Sequence, residues 1–518
     1  MSKLPTLLPD SKRPDGTDSV VLAVYAPFGS DPLLSAFPDG ARKPIAQQPL
    51  VQQLRKVAKL GVHVSALIDL VDDFSYLVEI PAGLPGQMRV YSTWKQAMSS
   101  PYALEGFLRH TQQRHPCSAT VLALEGHGAG FLPDLDSAQI TPATTSHDGQ
   151  VLWNLGPQTV NATTGSGGPP LLAVGYPELP VPSPDLPHVQ LPMSTWALGS
   201  ALQRATRARG GRKLAAIHFD NCFNMSLEVL HTVADYANYA TSYCNYNFFT
   251  AGAAYPKVFG HLSAAGSATH AQLARWFALE NQSALSAPPF FPTIGGAVRL
   301  SRMRGIVGAL NTLADAMTGE LKANRNSALP AIRAAIVAAQ QYDTGGSYVL
   351  ETPDQLTDVM SLARCLQNQA SLPTSVTGAA AALAKLLAGI KQYGDNLPTS
   401  VDLSVRWDFS SDAMAMNILL PDPALQGRWD WRSPYYGVGP TTAPAVQGNV
   451  IAFLTPRLPG KCAWVDFLVE YHKDVPFVGL LRVLPPFFPP FNPRFDPQHA
   501  KPIPRPGAVP EDPSDKRP

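Results

Sequence analysis

The sequence predicts an α/β fold, a mainly parallel sheet with helices on both faces (three layers, α/β/α), followed by a helical and β extension. Three observations carry this expectation. Ser19–Tyr25, Val62–Leu70, Ala119–Glu125 and Leu214–Phe219 are short, nearly unbroken apolar runs, as in strands buried on both faces. Segments with helical apolar spacing alternate with them, which is the pattern of a parallel sheet covered by its crossovers. Beyond about Gly260 helical spacing dominates.

In chain order, residues 1–18 are polar and proline-containing and read as a flexible lead-in to a domain spanning 19–260. After the first strand, Leu50, Leu54, Val57 and Ala58 share one helix face, and Gly61 ends the helix. Val62–Leu70 is the second strand, and Leu77–Ile80 with Met88–Tyr91 reads as a hairpin. Ala103–His110 is helical and leads into the strand Ala119–Glu125. An insertion over 132–191, rich in Pro, Gly, Ser and Thr, reads as loop, long enough to fold over a site. Met193–Arg209 is a helix stopped by Gly210-Gly211, just before the strand Leu214–Phe219.

A second region, 261–475, has expected helices over Leu300–Leu321, Leu329–Gln341, Gln355–Leu366 and Ala379–Gln392. Val401–Phe409 and Ala413–Leu420 read as paired strands, Val450–Leu454 as another strand, and Trp464–Tyr471 as a closing helix. Residues 476–518 form a proline-rich tail of extended character, a surface strap or a docking segment for a partner.

Composition narrows the function. A net charge of +1 leaves no electrostatic footprint for nucleic acid. Five cysteines, odd in number and without a CxxC pair, point to neither a disulfide framework nor a zinc site, so a reduced, cytoplasmic setting is expected. The amino terminus lacks the apolar core of a signal peptide, and no run has the length of a membrane span. GxSxG, Walker and HExxH motifs are absent, which leaves serine-hydrolase, P-loop and zincin readings unsupported.

Two strand ends carry chemistry. Leu214–Phe219 runs into Asp220-Asn221-Cys222 and then an apolar-periodic segment, placing a thiol at the carboxyl edge of a sheet near a helix amino terminus, where thiolate is favoured. Ala119–Glu125 runs into Gly126-His127-Gly128-Ala129-Gly130, placing a base at the same edge. The glycines let a substrate backbone approach. The bland alternatives are a buried apolar cysteine and a turn histidine. His218 is a second candidate base, because strand alternation puts His218, Asp220 and Cys222 on one face; otherwise it is a packed sheet histidine. Asp220 by itself reads as a structural cap for the next helix.

The paired blocks Glu125–Phe131 and Asp220–Leu230, with Asp235–Pro256 after them, resemble the clostripain family of cysteine peptidases, within the caspase, gingipain and legumain group. The resemblance spans roughly 19–475, specific at the two blocks and loose elsewhere. It implies a caspase-like α/β/α domain that cleaves peptide bonds through a Cys222–His127 dyad, with the N–H groups of Gly128 and Cys222 as the oxyanion hole. It implies that Asp220 selects Arg, and secondarily Lys, before the cut, and that Cys244 belongs to a pocket wall. A second, downstream acid is usual in the family, and Asp235 is a weak match for it. Calcium serves some members, although no acidic loop here specifies a site, and no other cofactor or metal is implied.

Maturation in the family often cuts between the blocks at a basic residue. From His115 to Gln203 this chain has no Lys or Arg, so processing is expected at Arg204, Arg207, Arg209, Arg212 or Lys213, or not at all. The partner implied is a protein or peptide substrate, without nucleic acid or membrane insertion. Relatives further imply a bacterial stress or antiphage role, such as cutting a pore-forming partner. The non-enzyme alternative is a pseudo-protease scaffold that binds through its loop and tail.

Overall fold

The computed structural model describes residues 16–17, 19–28, 44–70, 75–92, 98, 101–116, 118–126, 128, 130–131, 193–245, 247, 250–286, 293–342, 356–395, 414–420 and 463–474. The insertion over 132–191, the strands expected over 401–409 and 450–454, and the tail over 476–518 lie outside these residues, as does His127.

In chain order the elements are β1 (Gly16–Thr17), β2 (Val20–Pro27), α1 (Pro49–Lys59), β3 (His63–Asp69), β4 (Ser75–Ile80), β5 (Arg89–Ser92), α2 (Pro101–Arg114) and β6 (Ala119–Glu125). Then follow α3 (Thr195–Ala208), β7 (Leu214–Asp220), α4 (Leu227–Val233), β8 (Ala237–Tyr243), α5 (Tyr255–Ala265), β9 (Ala268–Thr269), α6 (His270–Leu285) and β10 (Thr293–Arg299). The last are α7 (Met303–Ala338), β11 (Gln341–Tyr342), β12 (Leu356–Asp358), α8 (Val359–Gln367), α9 (Thr374–Leu387), β13 (Lys391–Asp395), β14 (Asn417–Leu419) and α10 (Ala463–Tyr471).

Nine strands form one sheet in the order β13-β10-β8-β7-β6-β2-β3-β4-β5. The five central strands, β3 to β8 in that order, pair in parallel, and the outer strands on both sides pair antiparallel. Buried on both faces, the central strands need apolar side chains on both, which is why β2, β6 and β7 read as continuous runs rather than alternations. The chain steps outward from β2 to β3 and returns to β6 on the other side of β2. The switch point therefore lies between β2 and β6, and a crevice opens there at the strands' carboxyl ends.

Two apolar cores flank the sheet. One packs α1, α5 and α6 through Leu54, Val57, Val258, Phe259, Leu273 and Phe277. The other joins α2, α3 and α4 to α7–α10, through residues such as Phe107, Leu202, Leu230, Leu310, Leu366 and Trp464. The sheet also continues past residue 260: α5 runs across it, and β10 and β13 extend the same sheet. Local signals set the helix starts. Pro49 occupies the first turn of α1, the Ser194 hydroxyl caps α3, and Thr269 with Gln272 forms a capping box on α6.

The helices expected over 300–321 and 329–341 are both present within α7 and meet at a kink, where Asn324 departs from helical torsions (φ −137, ψ 43). Two expectations in the second region change. The helix expected from Gln355 starts at Val359, because the Asp358 side chain accepts the Ser361 N–H and caps it there; Leu356–Asp358 instead forms β12, between β11 and β14. The helix expected over 379–392 lies earlier, at Thr374–Leu387, and Lys391–Asp395 pairs with β10 as an edge strand.

Candidate active site

β7 ends at Asp220 and turns sharply through Asn221, Cys222 and Phe223. Phe223 lies in the left-handed region (φ 59), a conformation that costs a bulky residue about 1–3 kcal/mol and persists only where neighbours enforce it. They do: the Phe223 N–H donates to the Asn245 carbonyl (2.8 Å), and the Asn221 amide donates to the Leu124 carbonyl (3.3 Å), tying the turn to β6.

The Cys222 side chain is buried, and its Sγ faces Asn247, whose backbone N–H lies 3.4 Å away. Burial pushes the thiol up to about 12, against a smaller lowering by that N–H, and the nearby Asp220 charge adds to the rise. The expected help from a helix amino terminus is not at the thiol. Helix α4 has seven residues and starts at Leu227, beyond the reach of a dipole effect confined to the first turn. In this state the thiol is protonated at neutral pH.

Across from it, β6 ends at Glu125 and turns at Gly126 (φ 108). His127 lies outside the described residues, but Gly128 is placed. A Cβ built on Gly128 would lie 2.1 Å from the Cys222 carbonyl oxygen and 3.0 Å from its nitrogen. The two motif backbones touch at a position where no side chain fits. A cleft partly open to solvent lies beside this contact at the carboxyl ends of β2, β6 and β7, lined by Tyr25, Met98, Leu124, Gly128, Phe219 and Asn221.

Asp220 does not line that cleft. It is buried on the side of α5 and α6, where Asn247 Nδ2 donates to Oδ1 (2.8 Å) and the Tyr255 hydroxyl reaches Oδ2 (2.9 Å). The same hydroxyl lies 2.5 Å from Glu125 Oε1. One hydroxyl proton cannot serve two carboxylates. Burial and the Asp220 charge raise Glu125 well above the usual carboxyl range, so Glu125 carries a proton and donates to Tyr255, which donates to Asp220. Asp220 stays ionised: desolvation opposes its charge, but the neighbouring His218 and the hydrogen bonds from Asn247 and Tyr255 outweigh it.

Sequence reasoning missed Glu125, Asn247, Tyr255 and Asn281, whose amide donates to the Tyr243 hydroxyl (2.9 Å) and reaches Asn247 Oδ1 (3.3 Å). One signal was present, since Glu125 and Asp220 stand in register as the last residues of adjacent parallel strands.

The remaining candidates separate. His218 is buried against Phe277 (4.8 Å between centroids), with Nδ1 2.7 Å from the Thr241 hydroxyl and Nε2 3.7 Å from Asp220; it shares the Asp220 face, as alternation required. Asp235 is exposed at the opposite end of β8 and pairs with Arg304 (3.0 Å), so it is no second pocket acid. Cys244 is fully buried behind the Asn221–Phe223 turn, its Sγ 3.7 Å from the Ala415 carbonyl, and does not line the cleft.

Of the basic cluster, Arg204 and Arg207 lie within α3, and Arg204 stacks over Tyr102 (4.5 Å) and pairs with Glu105 (3.4 Å). Arg209 is buried, with Nη2 3.3 Å from the Thr120 hydroxyl. Arg212 and Lys213 donate to the carbonyls of Pro116 (2.9 Å) and Ala234 (3.0 Å), beside the exposed Gly210-Gly211 turn. Among the described residues no group of three or more His, Cys, Asp or Glu side chains is placed to hold a metal ion, and no helix is long and apolar enough to cross a membrane.

No protein-family model matches the chain, and no curated protein does. Among solved structures the chain is similar to an inactive zymogen C11 protease from Parabacteroides distasonis, at 14% identity over 80% of this chain and 94% of that one, with a TM-score of 0.48. It is similar also to iotapain, a secreted C11 cysteine protease from Bacteroides thetaiotaomicron (14% identity, 77% and 93% covered, TM-score 0.48), and to a secreted C11 cysteine protease of the same organism bound to an irreversible peptide inhibitor (12%, 78% and 93%, TM-score 0.46).

Proposed function

We propose that the chain is a cysteine endopeptidase, with Cys222 as nucleophile and His127 as its base and acid. His127 takes the thiol proton, and Sγ attacks the scissile carbonyl carbon. The N–H groups of Gly128 and Cys222 receive the oxyanion. The amine leaves with the proton from His127, and water then hydrolyses the thioester. The single observation that carries this reading is the approach of the Gly128 backbone to the Cys222 backbone at the carboxyl edge of adjacent parallel strands. The buried, protonated thiol fits a resting form that a base and substrate must activate. It is also the one feature that favours the scaffold alternative.

The proposal includes preference for Arg, then Lys, before the cut. Supporting it is the ionised Asp220 carboxylate beside the thiol; against direct contact stands the occupation of both its oxygens by Asn247 and Tyr255, which a basic side chain would displace. The cytoplasmic setting, expected from the cysteine composition, and the defence role, which rests on resemblance, belong to the same proposal. The test is a fluorogenic peptide panel with Arg, Lys, Asp or Leu before the scissile bond, run on wild type, Cys222→Ala and Asp220→Ala, with and without calcium. Basic-selective turnover, abolished by the first substitution and re-specified by the second, is expected. Turnover after Asp or Leu removes Asp220 as selector, and turnover that survives Cys222→Ala removes the mechanism.

A further inference from the structure

We infer that Asn417, carried on β14 far along the chain, is a positioning residue that holds the turn on which Cys222 stands. Its side-chain amide has two N–H donors, and both are used: Nδ2 donates to the Phe223 carbonyl (2.8 Å) and to the Cys244 carbonyl at the end of β8 (2.8 Å). Its backbone N–H donates to the Met225 carbonyl (2.8 Å), and the segment bridges in parallel at Ser226. One residue, 194 positions from Phe223, thus pins the chain on the far side of the nucleophile and joins it to β8.

The side chain is suited to this use and to little else. It is fully buried, and its Oδ1 finds no hydrogen-bond partner among the described residues, a loss that burial makes costly. Rotating the amide would set that oxygen against two carbonyl oxygens. Leu would fill the space without donors, and Asp would place acceptors against acceptors. Phe223 needs such restraint, because its left-handed torsions are unfavourable for a bulky residue. The Glu228 carboxylate tightens the same brace: Oε1 accepts the Leu419 N–H (2.9 Å) and Oε2 the Ser226 hydroxyl (2.7 Å). β14 in turn pairs with β12, and the Ala415 N–H donates to the helix-capping Asp358 (2.9 Å). The three-stranded sheet β11-β12-β14 is therefore the back wall of the catalytic turn.

The activity arm of this inference rests on the peptidase reading, and the alkylation arm does not. Full-length wild type, Asn417→Leu and Glu228→Gln are alkylated with iodoacetamide across a pH series, and modification at Cys222 is read by peptide mass mapping against Cys365. Releasing the turn exposes the buried thiol. In Asn417→Leu, Cys222 alkylation relative to Cys365 is expected to rise about tenfold at neutral pH, with its pH midpoint lowered. Meanwhile kcat on the best peptide falls about a hundredfold while KM stays within about threefold, as for a misplaced reacting group rather than lost binding. An unchanged Cys222 ratio and pH profile in a folded Asn417→Leu protein overturns the inference. Should that variant not fold, Glu228→Gln decides, with the same changes expected at about threefold and their absence overturning it. A wild type without peptidase activity removes the peptidase reading and leaves the alkylation result to decide this one.

Discussion

Gly128→Ala tests the contact on which the active-site reading stands. The added methyl would lie 2.1 Å from the Cys222 carbonyl oxygen, 2.9 Å from Asn224 Nδ2 and 3.0 Å from the Cys222 nitrogen. A relaxed carbon–oxygen contact needs about 3.3 Å, so the two backbones must part by roughly 1 Å. Two of the three obstructing atoms are main chain, on a turn held by Asn245 and Asn417, and cannot simply rotate away. Overpacking of this kind costs about 1–3 kcal/mol, a Tm drop of a few degrees in a chain this long. The same displacement moves the proposed oxyanion donors off their target and lowers kcat about a hundredfold. Peptide turnover and thermal unfolding are measured beside Gly106→Ala, a helix position in α2 with nothing within 4 Å, where Ala is expected to stabilise by about 0.5–1 kcal/mol. Gly128→Ala turnover within about threefold of wild type, with an unchanged Tm, would refute the reasoning.

Other outcomes follow from the buried cluster and from the basic segment. Tyr255→Phe removes the hydroxyl between Glu125 and Asp220 and is expected to cost about 2 kcal/mol in urea unfolding; a loss below about 0.5 kcal/mol would show the bridge to be idle. Glu125 has a folded pKa above its ordinary 4.5, so the stability it contributes is complete below that value and is lost as pH rises toward the folded pKa. Glu125→Gln removes that part of the slope, and an unchanged urea-midpoint profile above about pH 5 contradicts the proton assignment. Mass mapping of purified protein is expected to show no cut at Arg204 or Arg207, which lie in helix α3, or at the buried Arg209; a cut there means that α3 unwinds.

The central strands were legible because burial on both faces demands unbroken apolar runs, and β2, β3, β6 and β7 all have them. That the two strand ends share one sheet edge was legible because each is a local motif, whereas the pairing of Gly128 with Cys222 came from the resemblance. The proton-sharing cluster was not, since Tyr255 and Glu125 are 130 residues apart and nothing near Tyr255 marks it as a bridge. Leu356 fits the apolar face of the following helix by spacing, yet the cap at Asp358 and pairing with β14 make it a strand. The burial that raises the Cys222 thiol, and the reach of Asn417 behind it, are tertiary facts without a local signature.

The most direct test of the central claim is intact-protein and peptide mass mapping after incubation with a peptidyl thiol-alkylating inhibitor that carries Arg before the reactive group. The account predicts a single adduct on Cys222, lost in Cys222→Ala and blocked by a competing Arg peptide. An adduct confined to another cysteine, or hydrolysis that continues while Cys222 stays unmodified, would contradict it.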